Sequence, residues 1–272
     1  MNRTDKIAFI GGGNMASAII GGLRSSGHPA DALIVVEPHA EQRQRLGAEH
    51  GVSALAAPGP ALAQATTVVW AVKPQLFKEA AAPCRAHVAG ALQLSVMAGI
   101  RSDAIAAASG SERVVRAMPN TPALIGRGIS GLYARDSVTP AERDAVDHLL
   151  APTGRTLWVD AEADLDAVTA LSGSGPAYVF YFIEAMMAAA QAMGLRAEQG
   201  RQLALATFGG ATELALRSDD PPEVLRERVT SKGGTTHAAI TAMEQAGLQA
   251  AFVQAMQAAQ QRARELGDEF GR

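Results

Sequence analysis

The chain has 272 residues, 48% of them hydrophobic and 4% aromatic, enough for one large domain or two ordinary ones, each with its own core. With 24 basic and 27 acidic residues, a net charge of −3 offers no basic face for a phosphate backbone and no polybasic anchor, so neither nucleic acid nor membrane is an expected partner. A lone cysteine, Cys84, excludes an internal disulfide, no Cys/His cluster has metal-ligand spacing, and the six histidines stand singly, as surface residues do. The first apolar run begins too close to Met1 for a secretion signal. A cytoplasmic protein with no bound metal is the expectation.

In chain order, the β-branched runs "KIAFI", "ALIVVE", "TTVVWAV", "LQLSVM", "RVVRAM" and "RTLWVD" are predicted strands, alternating with helical stretches between residues 6 and 160. That alternation predicts an α/β domain over residues 1–162, a Rossmann-type, doubly wound parallel sheet with helices on both faces. Between the first two strands, Met15, Ile19, Ile20 and Leu23 recur at helical spacing, and Gly27 closes the segment.

Gly11-Gly12-Gly13-Asn14-Met15-Ala16 fits the G-x-G-x-x-G/A pattern, with the preceding strand and following helix that a dinucleotide site requires. Gly11 permits a tight turn, Gly13 lets a pyrophosphate approach the backbone, and Ala16 lets helix and strand pack closely; free N–H groups at the helix start then hold the phosphates. Glu37 ends the second strand, where a carboxylate accepts from ribose hydroxyls and repels a 2′-phosphate. Arg43 and Arg45, on the next helix, are a solvated face or a phosphate partner, so NADH and NADPH both stand. "WAVKPQ" ends another strand at the carboxyl edge of the sheet, placing Ala71, Val72, Lys73 and Pro74 beside the cofactor.

Over residues 163–272 strand-like runs give way to Ala-, Met- and Leu-rich stretches, an all-helical C-terminal domain. Gly194 is predicted to end one helix, "DPPE" (Asp220 to Glu223) to start another, and Gly233-Gly234 to precede a third. The window "AYVFYFIEAMMAAAQAMG", broken by Glu184 and Gln191, is too short for a span of about 20 apolar residues and reads as a buried core helix. Its neighbours carry more apolar surface than this half can bury alone. Pairing with a second copy is therefore expected, over the alternative of packing on the first domain.

Three further segments, "RAMPNTPALIGRG" (Arg116 to Gly128), "LSGSGPAYVFYFIEAM" (Leu171 to Met186) and "RVTSKGGTTHAAI" (Arg228 to Ile240), together with "AVKP", resemble the pyrroline-5-carboxylate reductases. The resemblance covers nearly the whole chain and implies a dimer with interlocking helical domains, often in a ring of dimers, that uses NADPH or NADH to reduce (S)-1-pyrroline-5-carboxylate to L-proline. It implies that Ser231, Gly233, Gly234, Thr235 and Thr236 clamp the substrate carboxylate, a role that suits converging amides and hydroxyls ahead of a helix. A helix cap by Thr235 or Thr236 would use the same geometry. Lys232 stands where the family usually has proline, which loosens the turn and adds a positive charge.

The same resemblance places Asn120 and Thr121 beside the nicotinamide, although between Pro119 and Pro122 they also read simply as a turn. It turns Ser172 to Pro176 toward the substrate, while capping of the following helix would by itself explain the serines. Hydride transfer to a cyclic imine is helped by an acid near the ring nitrogen; Thr169 and Asp219 are the candidates, water the alternative. Two rivals stand beside this reading: another Rossmann reductase acting on an imine or hydroxy acid, and a non-catalytic nucleotide-sensing protein.

Overall fold

The computed structural model describes residues 5–270. Its N-terminal part alternates β1 (Ile7–Ile10), α1 (Asn14–Ser25), β2 (Leu33–Val36), α2 (Ala40–His50), β3 (Ala54–Leu55), β4 (Thr67–Trp70), α3 (Phe77–Ala81), α4 (Arg85–Val88), β5 (Leu92–Ser95), α5 (Ser102–Ser109) and β6 (Val114–Met118). Then come β7 (Gly128–Ala134), α6 (Pro140–Leu150), β8 (Gly154–Trp158), α7 (Asp164–Val168), α8 (Gly175–Ala192), α9 (Ala197–Leu216), α10 (Pro222–Arg228), α11 (Thr235–Gln245) and α12 (Leu248–Phe270).

Eight strands form one sheet in the order β3-β2-β1-β4-β5-β6-β7-β8, the doubly wound arrangement with its reversal between β1 and β4. The sheet is not wholly parallel, as expected from the alternation: β6 and β7 are antiparallel, because the short link through residues 119–127 has no room for a crossover helix. Nor was β7, "GISGLYA", expected as a strand. Its glycines are demanded by packing, since a Cβ at Gly131 would lie 2.6 Å from Val168 and one at Gly128 would lie 2.8 Å from the Ala123 nitrogen.

The central strands are apolar on both faces, as helices on both sides require. Ile19, Ile20 and Leu23 of α1 pack with Leu149 and Leu150 of α6 on one face, and Phe77, Cys84, Val88 and Ile105 pack on the other. Trp70 meets Phe77 edge-on at 5.3 Å, and its indole N–H donates to the buried Gln93 side chain at 2.9 Å. The Gln93 amide in turn donates to the Val88 and Ala91 carbonyls, so this polar group is fully partnered inside the core. Burial pushes the Cys84 thiol up to about 11, which makes it a small core residue and no nucleophile.

Two compact units emerge, one running through Ser174 and regaining the chain from Ala259, the other spanning Gly175–Ala258. Packing within one chain thus keeps residues 163–174 with the sheet. α7 stays with the sheet because Leu165 and Asp166 are buried there, Arg101 bonds Asp166 through two nitrogens, and Arg116 pairs with Glu162 at 2.7 Å. The last turns of α12 do likewise: a Cβ at Gly267 would lie 2.5 Å from the Arg101 guanidinium.

In the helical unit, α8 and α9 meet where a Cβ on Gly200 would come within 2.8 Å of Ala190. The buried core helix expected from "AYVFYFIEAM" is not found within one chain: of α8, only Ala190 is buried, and Phe180 and Tyr181 are 60% and 70% exposed. One histidine also departs from its expected surface position, for His28 is buried and burial holds its imidazole below the ordinary value.

Candidate active site

The chain leaves β1 through Gly11, whose φ of +97° is open to glycine alone and whose Cβ would lie 2.6 Å from the Ala71 carbonyl oxygen. Its N–H donates to the Val36 carbonyl and the Ala71 N–H donates to Ile10, so the carboxyl ends of β1, β2 and β4 are tied together at this turn. Gly12 has no room for a side chain either, with Leu46 Cδ1 2.7 Å from the Cβ position. Gly13 differs: nothing lies within 4 Å of its Cβ position. It precedes α1 with no side-chain cap, so the first amides of that helix, at Asn14 and Met15, face open space at the positive end of the dipole.

These residues fit a dinucleotide. The open face at Gly13 suits a pyrophosphate, and beside it an apolar cleft of about 300 Å³, lined by Gly11, Val36, Pro38, Ala57, Pro58 and Val72, suits a flat adenine. After β4, Val72 lines the cleft, Ala71 and Pro74 are half-buried and Lys73 is exposed. Ala57 and Pro58 were not anticipated, since β3 is two residues long and carries no periodic signal.

The Glu37 carboxylate is buried and accepts from the Gly12 N–H and from the His39 N–H, both at 2.9 Å. Gln42, which sequence reasoning missed, donates to the Gly12 carbonyl, and Arg43 donates to the Glu37 and Pro38 carbonyls at 2.9 and 2.7 Å. Arg45 pairs with Glu49 on the solvated side of α2.

Asn120 is committed to structure. Its carbonyl accepts from the Ile129 N–H and its amide donates to the Ser172 hydroxyl, fastening the loop after β6 to β7 and to the π-helical turn Thr169–Gly173. Thr121 beside it is exposed. Ser172 therefore serves as a partner of Asn120. The Thr169 hydroxyl is engaged as a donor to the Leu165 carbonyl at 2.7 Å, which leaves its oxygen free to accept.

In the helical unit, Gly233 has φ +78° and Gly234 sits at the cap position of α11 with no side-chain cap. Thr235 and Thr236 are the first two residues of the helix, so the capping role anticipated for them is not observed. The Ser231 side chain lies against Gly234, whose Cβ would come within 2.8 Å of its hydroxyl oxygen, so the loop closes only because that residue is glycine. Asp219 is exposed; its neighbour Asp220 takes the ion pair with Arg228.

A family profile described as pyrroline-5-carboxylate reductase dimerisation matches residues 162–266, and one described as NADP oxidoreductase, coenzyme F420-dependent, matches residues 6–99. The chain is 45% identical to a pyrroline-5-carboxylate reductase of Pseudomonas aeruginosa, over 98% of this chain and 99% of the relative. It is 41% identical to that of Pasteurella multocida, over 96% and 97%. Among solved structures, a pyrroline-5-carboxylate reductase from Coxiella burnetii matches with a TM-score of 0.91 and 34% identity, over 97% of this chain and 98% of that one. A Plasmodium falciparum pyrroline carboxylate reductase with NADP bound matches with a TM-score of 0.86 and 26% identity, over 98% and 100%. With both units and the glycine turn so matched over nearly its full length, the chain belongs to the pyrroline-5-carboxylate reductase family.

Proposed function

We propose that the chain reduces (S)-1-pyrroline-5-carboxylate to L-proline with NADPH or NADH, in the cytoplasm, as a homodimer or a ring of dimers. The observation that carries this reading is the open face at Gly13 on an otherwise closely packed turn, in a chain of this family. Gly11 to Met15 hold the pyrophosphate with backbone amides, and Ala71 to Pro74 border the nucleotide. The reduced nicotinamide supplies the hydride.

Ser231, Gly233, Gly234, Thr235 and Thr236 hold the substrate carboxylate through amides and hydroxyls at the start of α11. The protonated imine is the better hydride acceptor. Thr169, whose hydroxyl proton is taken by Leu165, favours that form by accepting from the ring N–H⁺. The proton itself comes from water, and Asp219 contributes only charge at the helix-flanking position it occupies. Asn120 keeps the loop after β6 in shape, and Thr121 offers the free polar group beside it. Pairing of two chains covers Phe180, Tyr181 and Leu214, which one chain leaves exposed.

Replacing Thr236 with Ala tests the clamp. Loss of one hydrogen bond to a charged group is expected to raise KM for the imine about 10- to 100-fold while NADPH affinity stays as it was. Unchanged kinetics would favour a different imine or hydroxy acid as substrate.

A further inference from the structure

The carboxylate at the end of β2 is the residue from which cofactor choice is ordinarily read, yet here it faces inward. Glu37 accepts from the Gly12 N–H with one oxygen and the His39 N–H with the other, each at 2.9 Å, and is 6% exposed. Gln42 holds the carbonyl of the same glycine, and Leu46 closes the space where a side chain would stand. Gly12 is thus gripped at both ends of the residue by groups from β2 and α2, and Arg43 locks that corner through the Glu37 and Pro38 carbonyls. His39 and Glu41 nearby in the chain are exposed, Arg43 is half-buried, and Glu79 is exposed on the lining of the apolar cleft.

We propose that Glu37 is a positioning residue for the phosphate-binding turn and does not read the ribose, so that it sets affinity for the pyrophosphate and leaves the choice between NADPH and NADH untouched. Oriented backbone donors bind a phosphate well only when they are already in place, and a turn built from three glycines has no stiffness of its own. The two amide bonds to Glu37 supply that stiffness. They also occupy a carboxylate that, turned outward, would repel a 2′-phosphate. The inference rests on the glycine turn being the dinucleotide site.

Direct binding of NADPH, NADH, ADP and 2′-AMP to the full chain, by calorimetry, separates the possibilities. In Glu37→Gln one of the two amides meets an NH₂ group instead of an acceptor, and affinity for NADPH, NADH and ADP is expected to fall by a common factor of about ten, while 2′-AMP, which does not use the turn, binds as before. Glu37→Asp keeps the charge but not the reach, and is expected to behave like Glu37→Gln. A ribose reader would give the opposite result: NADH weakened, NADPH kept or improved, and Glu37→Asp retaining NADH. Gln42→Met, which frees the other end of Gly12, should reproduce the common loss even if the Glu37 variants fold poorly, and unchanged affinity there would overturn the proposal. Far-UV circular dichroism of each variant, expected to match that of the unaltered chain, separates the common loss from general unfolding. Failure of the unaltered chain to bind any of the nucleotides would overturn the dinucleotide reading itself, and the brace with it.

Discussion

The sheet unit encloses Trp70, Phe9 and Phe77, whereas the helical unit leaves Phe180, Tyr181 and Met193 open to solvent. In the first, the buried Gln93 beneath Trp70 and the half-buried Glu162 beside Arg116 and Ser102 have partners built for them, although the buried His28 Nε2 and Arg116 Nε have none. In the second, α10 and α11 have no buried residue at all, and Tyr178, Phe182 and Phe252 make ring contacts along a surface rather than a core. A β-sheet with helices on both faces completes its own burial. The helical unit does not, and it is this unit that matches the family profile described as dimerisation.

The largest effect should come from charging the open helical face. Replacing both Phe180 and Leu214 with Asp is expected to convert the assembly to monomers in sedimentation and to abolish activity. In the sheet unit the corresponding experiment is a cavity: Trp70→Ala should cost about 3–5 kcal/mol in denaturant unfolding and leave Gln93 without a donor. If the helical variant stays dimeric, the contrast between the units is wrong.

Glu162→Gln is expected to cost about 3 kcal/mol, since it leaves the buried Arg116 guanidinium without its counter-charge. Acid tests the same group. Burial pushes the Glu162 carboxyl up, but the Ser102 hydroxyl and amide and the Arg116 guanidinium outweigh it and leave it below the ordinary carboxylate value. A depressed folded pKa contributes stability that is fully present above the unfolded value of 4.5 and is lost as pH falls through the folded one, so the sheet unit should weaken in that acid window, and less so in Glu162→Gln. The smallest effect is expected for Leu124→Asp: this exposed side chain of the sheet unit stands apart from its core, and the change should stay within about 0.5 kcal/mol.

What could be read from the sequence follows the same division. The six strands expected from β-branched runs all form; β1, β2 and β4, buried on both faces, are almost wholly apolar and leave an unmistakable signal, whereas the half-exposed β8 does not owe its signal to burial. β7 left none, for its Gly128 and Gly131 are required by Thr153 and Val168, neighbours distant in sequence. The glycine turn between β1 and α1 was legible, and so was the tight bend at Gly11. The direction of Glu37 was not, because a carboxylate at a strand end can reach outward to a ribose or inward to an amide, and the inward choice depends on where α2 brings Gln42 and Leu46. The helix after Ser174 looked like a core since apolar composition reports that surface will be covered, without saying by which chain.

The proposed reaction is reduction of a small cyclic imino acid by a nicotinamide dinucleotide bound at the glycine turn. Oxidation of NADPH and NADH by the purified protein, followed with pyrroline-5-carboxylate present and with proline quantified, tests it most directly. One proline is expected for each cofactor oxidised, with at least one of the two cofactors. Tight cofactor binding accompanied by no proline with either would contradict it.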